Sequence, residues 1–523
     1  MFKRLMRSVL RSKIFAAGAT GVIVGIILSV IFRISFFSSF LWLLMGFGVF
    51  FVAFLKPSLL VVGVAFLAGT VIGSFRVAPE MIDRNIFEAK VGEVVEIAGE
   101  VFGDPEAENG SAKLKLKKLK LDGENIRGVI YFSGETEGLS QEIERGDKII
   151  VSGELSDSFG GYAGTIFSGK IKKHEKPEPG SLVLKTRNKF YSKVLEIFGE
   201  NEREAKLGLA YLLGMKNGID DELIEVLSLV GLTHIVVASG THLGIVVGFL
   251  KKYGVKISRF AGFLFSAVFV LGFGQMIGWT ASITRAALVC GIALVAWYVG
   301  YEIRPIKIIL VAVMTTLLIN PLNIVDLGWL LSFASFFGIM VLMPEMIEFF
   351  YGKVVWGKWV DGVKPSKLSE MIIATVGATM MCAPILLYFF GSLSLISLLA
   401  NILILPTMAG AMGLVFLSGV VGFLPGWMGW LKFIVVKITT ILIDYHIVVM
   451  EFFAQRKEFI MTVEAGNPGV FWLYLVFLVP FVVNKIMKER ARRERMKDFE
   501  AHFEERIRWT IDKKAPRMAG RKA

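Results

Sequence analysis

The sequence predicts a polytopic α-helical membrane protein of about 12 spans carrying an inserted small β-barrel of OB-like type. Three observations predict it. Hydrophobic residues make up 54% of the 523-residue chain and charged residues only 20%, less charge than a soluble domain carries. Apolar runs long enough to cross a bilayer recur from residue 14 to residue 487; about 20 helical residues span the hydrocarbon layer. Between residues 76 and 180 the pattern changes to short alternating runs. Only helices and closed barrels satisfy every backbone group in lipid, and runs this continuous are helical.

Residues 1–75 hold the first candidate spans, 14–32, 36–55 and 58–75. The basic start, MFKRLMRSVLRSK, stays in the cytoplasm by the positive-inside rule. The apolar segment after it is a full span, so it reads as a first helix rather than a cleaved signal peptide. Three crossings then place residue 76 outside. Cys290 and Cys382 both sit in apolar runs, which leaves no disulfide or zinc framework. The net charge of +13 is explained largely by membrane topology and is weak grounds for nucleic-acid binding.

In 76–180 five β-rich runs alternate with turn signals, and Lys113, Lys115 and Lys117 alternate with Leu114 and Leu116 as in a half-buried strand. A small OB-like barrel fits, and a sandwich competes with it. Such barrels often bind single strands. However, acidic residues outnumber basic ones here, 20 to 15, so a structural module is the other reading. Lys113, Lys115 and Lys117 form the one candidate DNA-contact strand. Residues 181–232 read as amphipathic helices lying along the membrane surface.

Nine more candidate spans follow in 233–487: 233–250, 259–277, 283–301, 307–320, 322–343, 371–390, 394–420, 430–450 and 468–487. Predicted inner loops carry Lys251, Lys252, Lys256, Arg259, Arg304, Lys307, Lys353, Lys358, Lys364 and Lys367; only 421–429 is uncharged. The pattern predicts a cytoplasmic-membrane protein with both termini inside and the barrel outside. The spans at 233–250 and 307–320 are short or polar, and either could be re-entrant. The tail at 488–523 is basic; residues 485–523 hold 14 Lys+Arg against 7 Asp+Glu. It either touches anionic lipid or meets emerging nucleic acid.

Polar residues interrupt the apolar half at four places. In GLTHIVVASGTHLG, His234, Ser239 and His242 break a span. The two histidines are eight residues apart, about 80° around an ideal helix, poor geometry for a shared metal. A Ser239–His242 nucleophile lacks a visible third member. Arg285 opens a span, Asn320 and Asp326 flank Pro321, and Asn401 precedes Pro406, which suggests a broken helix. Asp326 needs a partner, and Arg285 is the obvious one. The predicted topology puts His234, Arg285, Asn320, Asp326 and Asn401 at one depth. They line the outer mouth of a translocation path or form a helix-packing network.

These stretches together resemble the ComEC family of competence DNA-internalisation channels. LGLAYLLGMKNGI, GLTHIVVASGTHLG, ASITRA, NPLNIVDLGWLLSFA and LLANILILP follow the family's order, and an N-terminal set of spans before an OB-like domain also fits. The resemblance implies uptake of single-stranded DNA through a channel in the cytoplasmic membrane during natural transformation. It also implies partners: membrane lipids, a periplasmic or surface DNA receptor, and a cytoplasmic helicase or motor. No P-loop is present to supply energy within this chain. Many members carry a metallo-β-lactamase-like domain with a His-x-His-x-Asp-His motif. This sequence has five histidines and no such cluster, so it is read as a form without that domain. It is then not an enzyme, has no metal or cofactor, and leaves strand degradation to a separate nuclease. The competing classes are a secondary transporter of a small or lipid-like solute and an intramembrane hydrolase built on Ser239 and His242.

Overall fold

The computed structural model describes residues 2–32, 57–108, 111–135, 143–157, 162–176, 181–215, 218–236, 240–301, 304–352, 354–355, 358–359, 365–456, 459–484 and 486–487. The expected span at 36–55 and the basic tail at 488–523 lie outside these residues.

The chain opens with α1 (Phe2–Ile31) and α2 (Pro57–Glu88), packed along small residues. A Cβ on Gly21 would overlap the carbonyl oxygen of Phe66, and one on Gly69 would overlap that of Gly18. Apolar lipid supplies no hydrophobic drive between helices, so this backbone approach is what holds the pair. The composition changes at residue 76, but the helix does not stop there. α2 is 32 residues long, about 48 Å, longer than the ~30 Å hydrocarbon layer. Its last turns leave the apolar layer and carry Phe87, 1% exposed, into the core of the β-domain.

That domain contains β1 (Val94–Val101), β2 (Glu106–Glu108), β3 (Ser111–Leu121), β4 (Glu124–Ile126), β5 (Ile130–Glu135), β6 (Lys148–Ser156) and β7 (Gly164–Glu175). Five strands close on themselves in the order β1-β3-β5-β7-β6-β1, with β5 and β7 parallel and the other pairs antiparallel. β2 and β4 are short additions on β3. The alternation of SAKLKLKKLKL is realised directly: Ala112, Leu114, Leu116, Leu119 and Leu121 point into the barrel. Asp122 and Gly123, both at positive φ, make the two-residue turn into β4.

α3 (Leu182–Phe198), α4 (Glu202–Leu213) and α5 (Asp221–Leu229) come next. Not all of this stretch is interfacial. α3 exposes Leu182 and Val183, but α4 is buried from Leu207 to Tyr211 against the helices at 396–422 and 429–454. Its sequence GLAYLL is apolar on every side, which suits a core helix.

The apolar half continues with α6 (Thr233–Val236), α7 (Gly240–Gly254), α8 (Arg259–Ile277), α9 (Ala281–Val299) and α10 (Pro305–Ile319). A 3₁₀ turn at Pro321–Val325 leads to α11 (Leu327–Phe337). A π-helical turn at Gly338–Leu342 joins α11 to α12 (Met343–Tyr351). α13 (Lys367–Phe390), α14 (Ile396–Gly422) and α15 (Gly429–Ala454) follow, and a shorter apolar helix runs over 468–484. Among the described residues eight helices are long and apolar enough to cross a membrane; α10 and 468–484 are apolar but shorter.

Pro406 does not break its helix. α14 is continuous over 27 residues. A proline removes one N–H from the ladder, and the hydroxyl of Tyr445 donates to the nearby carbonyl of Leu403 at 3.2 Å. The uncharged 421–429 turn is covered by α3: Lys193 and Ile197 lie against Gly422, and the Lys189 ammonium stands 5.7 Å from the Phe423 ring.

Replacing Gly69 by Val should force α1 and α2 apart and cost about 1–3 kcal/mol. Thermal unfolding of the detergent-purified chain checks this: an unchanged Tm would show that the close approach carries no stability.

Candidate functional site

α10 ends at Asn320, which is extended, as the residue before a proline tends to be. The Asn320 side chain accepts a hydrogen bond from the Leu322 N–H at 3.1 Å and starts the 3₁₀ turn. Asp326 ends that turn and caps α11, its Oδ1 accepting from the Trp329 N–H at 2.6 Å. Asp326 therefore sits at a helix start rather than within a helix.

Arg285, 2% exposed, reaches the same residue from α9. Its Nη1 donates to the Trp329 carbonyl at 3.2 Å, its Nη2 to Ser282 Oγ at 3.2 Å, and its guanidinium lies 5.0 Å from the Phe333 ring centre. The expected direct Arg285–Asp326 pair is not formed among the described residues. The two charges interact through space while each holds one backbone group of Trp329. The Trp329 indole N–H donates to Thr316 Oγ1 at 3.0 Å, and Asn323 Nδ2 donates to the Thr316 carbonyl at 3.1 Å. Trp329, Thr316 and Asn323 thus belong to the junction, and no role was foreseen for them. The Asp-x-x-Trp spacing after Asn-Pro is a helix-capping signal that could have revealed them.

Of the expected span 233–250, residues 233–236 fall on α6 and 240–250 on α7. His234 on α6 is exposed, with Nδ1 3.2 Å from the Gly231 carbonyl. Ser239 lies outside the described residues. His242 is in the first turn of α7. Gly240 stands against Ala286, so the start of α7 adjoins the helix of Arg285. Asn401 is buried on α14, its Oδ1 has no hydrogen-bond partner, and among the described residues no hydrogen bond links it to Arg285.

A second polar group lies in the helical core. His446 on α15 shares a 2.8 Å hydrogen bond with Thr407 on α14, and its ring is 5.7 Å from that of Tyr211 on α4. All polar atoms with no partner here, the Tyr211 hydroxyl and His446 Nδ1, are fully buried. The wide sequence separation of these residues hid the group.

On the barrel, Lys113 and Lys115 are exposed, whereas Lys117 is half-buried and pairs with Glu100 at 3.4 Å. Lys118 pairs with the same carboxylate at 2.6 Å. Partial burial pushes Glu100 upward, but the bonds to Lys118 and Lys117 prevail and hold it below its ordinary value. Two arginines seat the barrel side on α8. Arg145 Nη2 donates to the Gln275 and Met276 carbonyls, each at 2.8 Å; Arg187 on α3 bonds Asp104 at 2.8 Å and the Met276 carbonyl at 3.2 Å.

Arg285→Met should cost about 1–3 kcal/mol by removing the charged bonds to the Trp329 carbonyl and Ser282, and Trp329→Phe about 1 kcal/mol. Lysine at 285 should not restore the loss, since it cannot serve two acceptors in a fixed fork. Thermal melting of the three variants decides. Glu100 adds stability above its unfolded pKa near 4.5, lost as pH falls through its lower folded value. Wild type and Glu100→Gln should therefore differ in Tm at neutral pH and converge in acid.

Comparison with known proteins follows this geometry closely. The family described as Competence protein matches residues 211–487, more than half of the chain and the whole of the polar junction. ComE operon protein 3 of Bacillus subtilis (strain 168) is 28% identical over 199 residues, 38% of this chain. The match spans about a quarter (24%) of that relative's length. No solved structure matches. The chain belongs to the Competence protein family, the ComEC-like family that its motifs resemble.

Proposed function

We propose that this chain forms the membrane path by which single-stranded DNA enters the cytoplasm during natural transformation. The carrying observation is that the family match, residues 211–487, contains both the Arg285–Trp329–Asp326 junction and the polar His234–His242 stretch of the sequence. A polyanion cannot cross hydrocarbon and needs a path lined by donors and some positive charge. His234, Ser239, His242, Arg285, Asn320, Asp326 and Asn401 are the path residues in this reading.

The barrel takes the OB-like role. Its closed order, with the third and fifth long strands parallel, supports that reading. Lys113 and Lys115 are the exposed end of its basic stripe, Lys115 lying 5.9 Å from the Tyr162 ring centre and Lys117 being engaged by Glu100. Basic loops support about twelve crossings with both termini in the cytoplasm and the barrel outside. The chain acts as a transport protein. A surface receptor delivers DNA, a separate nuclease removes the second strand, and a cytoplasmic helicase or motor draws the strand inward.

Cells lacking the gene should keep surface-bound labelled DNA and lose cytoplasmic label. Arg285→Ala or His234→Ala should reproduce that loss at normal protein level. Unchanged entry in the deletion would remove the DNA-uptake function; unchanged entry in both variants alone would remove the site assignment.

A further inference from the structure

A cavity of about 440 Å³ lies between the end of α3 and the start of α15. Ile197, Phe198, Phe433 and Val436 make its apolar wall, and Lys432, Lys437, Asn201 and Thr440 contribute polar atoms. Three features of this lining point to one kind of ligand. Lys432 gives one N–H to the Gly422 carbonyl at 3.3 Å, which fixes its ammonium at the cavity and leaves it two further donors. Neither Lys432 nor Lys437 has a carboxylate partner among the described residues. The hydroxyl of Thr440 is buried (the residue is 5% exposed) and has no hydrogen-bond partner among the described residues, whereas such groups are ordinarily satisfied.

The wall does not close on the membrane side. Phe433 is 71% exposed, and Ile434, Ile438 and Ile441 on the same helix are exposed as well. In a membrane protein such a surface faces acyl chains. The site therefore joins two ammonium groups and a free hydroxyl to an apolar track.

We infer that this cavity binds the phosphodiester head of an anionic phospholipid, with Lys432 and Lys437 on the phosphate, Thr440 donating to it, and an acyl chain along Phe433. Bound there, the lipid ties α3 to the α14–α15 hairpin. Free phosphate shares the head chemistry but would leave the apolar track unused.

The test uses the full chain purified in detergent, with its melting temperature followed during titration. Short-chain phosphatidylglycerol should raise Tm. Phosphatidylcholine of the same chain length, inorganic phosphate and a short single-stranded oligonucleotide should not, at matched concentration. Lys437→Gln should weaken the phosphatidylglycerol effect about tenfold. Thr440→Val, which keeps the shape and removes a hydroxyl with no protein partner, should fold normally and weaken it several-fold. Equal stabilisation by phosphatidylcholine, by phosphate alone or by the oligonucleotide would overturn the lipid assignment. So would wild-type affinity in both variants.

Discussion

Every helix that ends within the apolar half must give its terminal N–H and C=O groups to some partner, because lipid offers none. Much of this molecule's polar chemistry answers that single demand. Asn320 and Asp326 take N–H groups where α10 gives way to α11. Arg76, on α2, donates to the Leu318 and Ile319 carbonyls at the end of α10, each at 2.7 Å. Arg145 and Arg187 serve the end of α8, Arg259 the Trp297 carbonyl near the end of α9, and Lys432 the end of α14. A cation at a helix C-terminus also meets the favourable end of the helix dipole.

This use of arginine links the apolar half to the barrel. α2 runs unbroken from the membrane layer into the barrel core at Phe87, and on the way Arg76 grips α10. Arg145 comes from the loop before β6, and Arg187 is held by Asp104 beside β2; both end on α8. The barrel is thus fastened at two separate helices.

Legibility in the sequence followed locality. The strand alternation around Lys113–Lys117 depends on neighbours two positions away, and the structure realises it over residues 111–121. The four polar interruptions were visible because charge and amide groups stand out in apolar runs. Their bonding was not, since a carboxylate and a guanidinium at matched depth can pair directly or divide one residue's backbone between them. Burial of α4 was hidden because an apolar helix looks the same against lipid and against protein. Pro406 misled because a proline costs one N–H of the ladder without obliging a membrane helix to stop, and α14 runs through it. The His446–Thr407–Tyr211 group joins residues from three distant helices, and nothing local marks it.

Several buried polar atoms answer no such demand. The Tyr211 hydroxyl, Ser394 Oγ, Asn401 Oδ1, Thr440 Oγ1 and His446 Nδ1 have no hydrogen-bond partner among the described residues, and they come from α4, α14, α15 and the turn that leads into α14. The arginine-capped ends, by contrast, belong to α8, α9 and α10. Capped ends are satisfied from within the protein and form a frame with little reason to move. Unmet polar atoms at depth are costly unless something polar reaches them. An aqueous or polyanionic passenger is one source of such partners. The division sets a capped frame around the Trp329 junction apart from a group of unmet polar atoms on α14 and its neighbours, so substitutions in the first should be felt as lost stability and apolar replacements in the second should be tolerated.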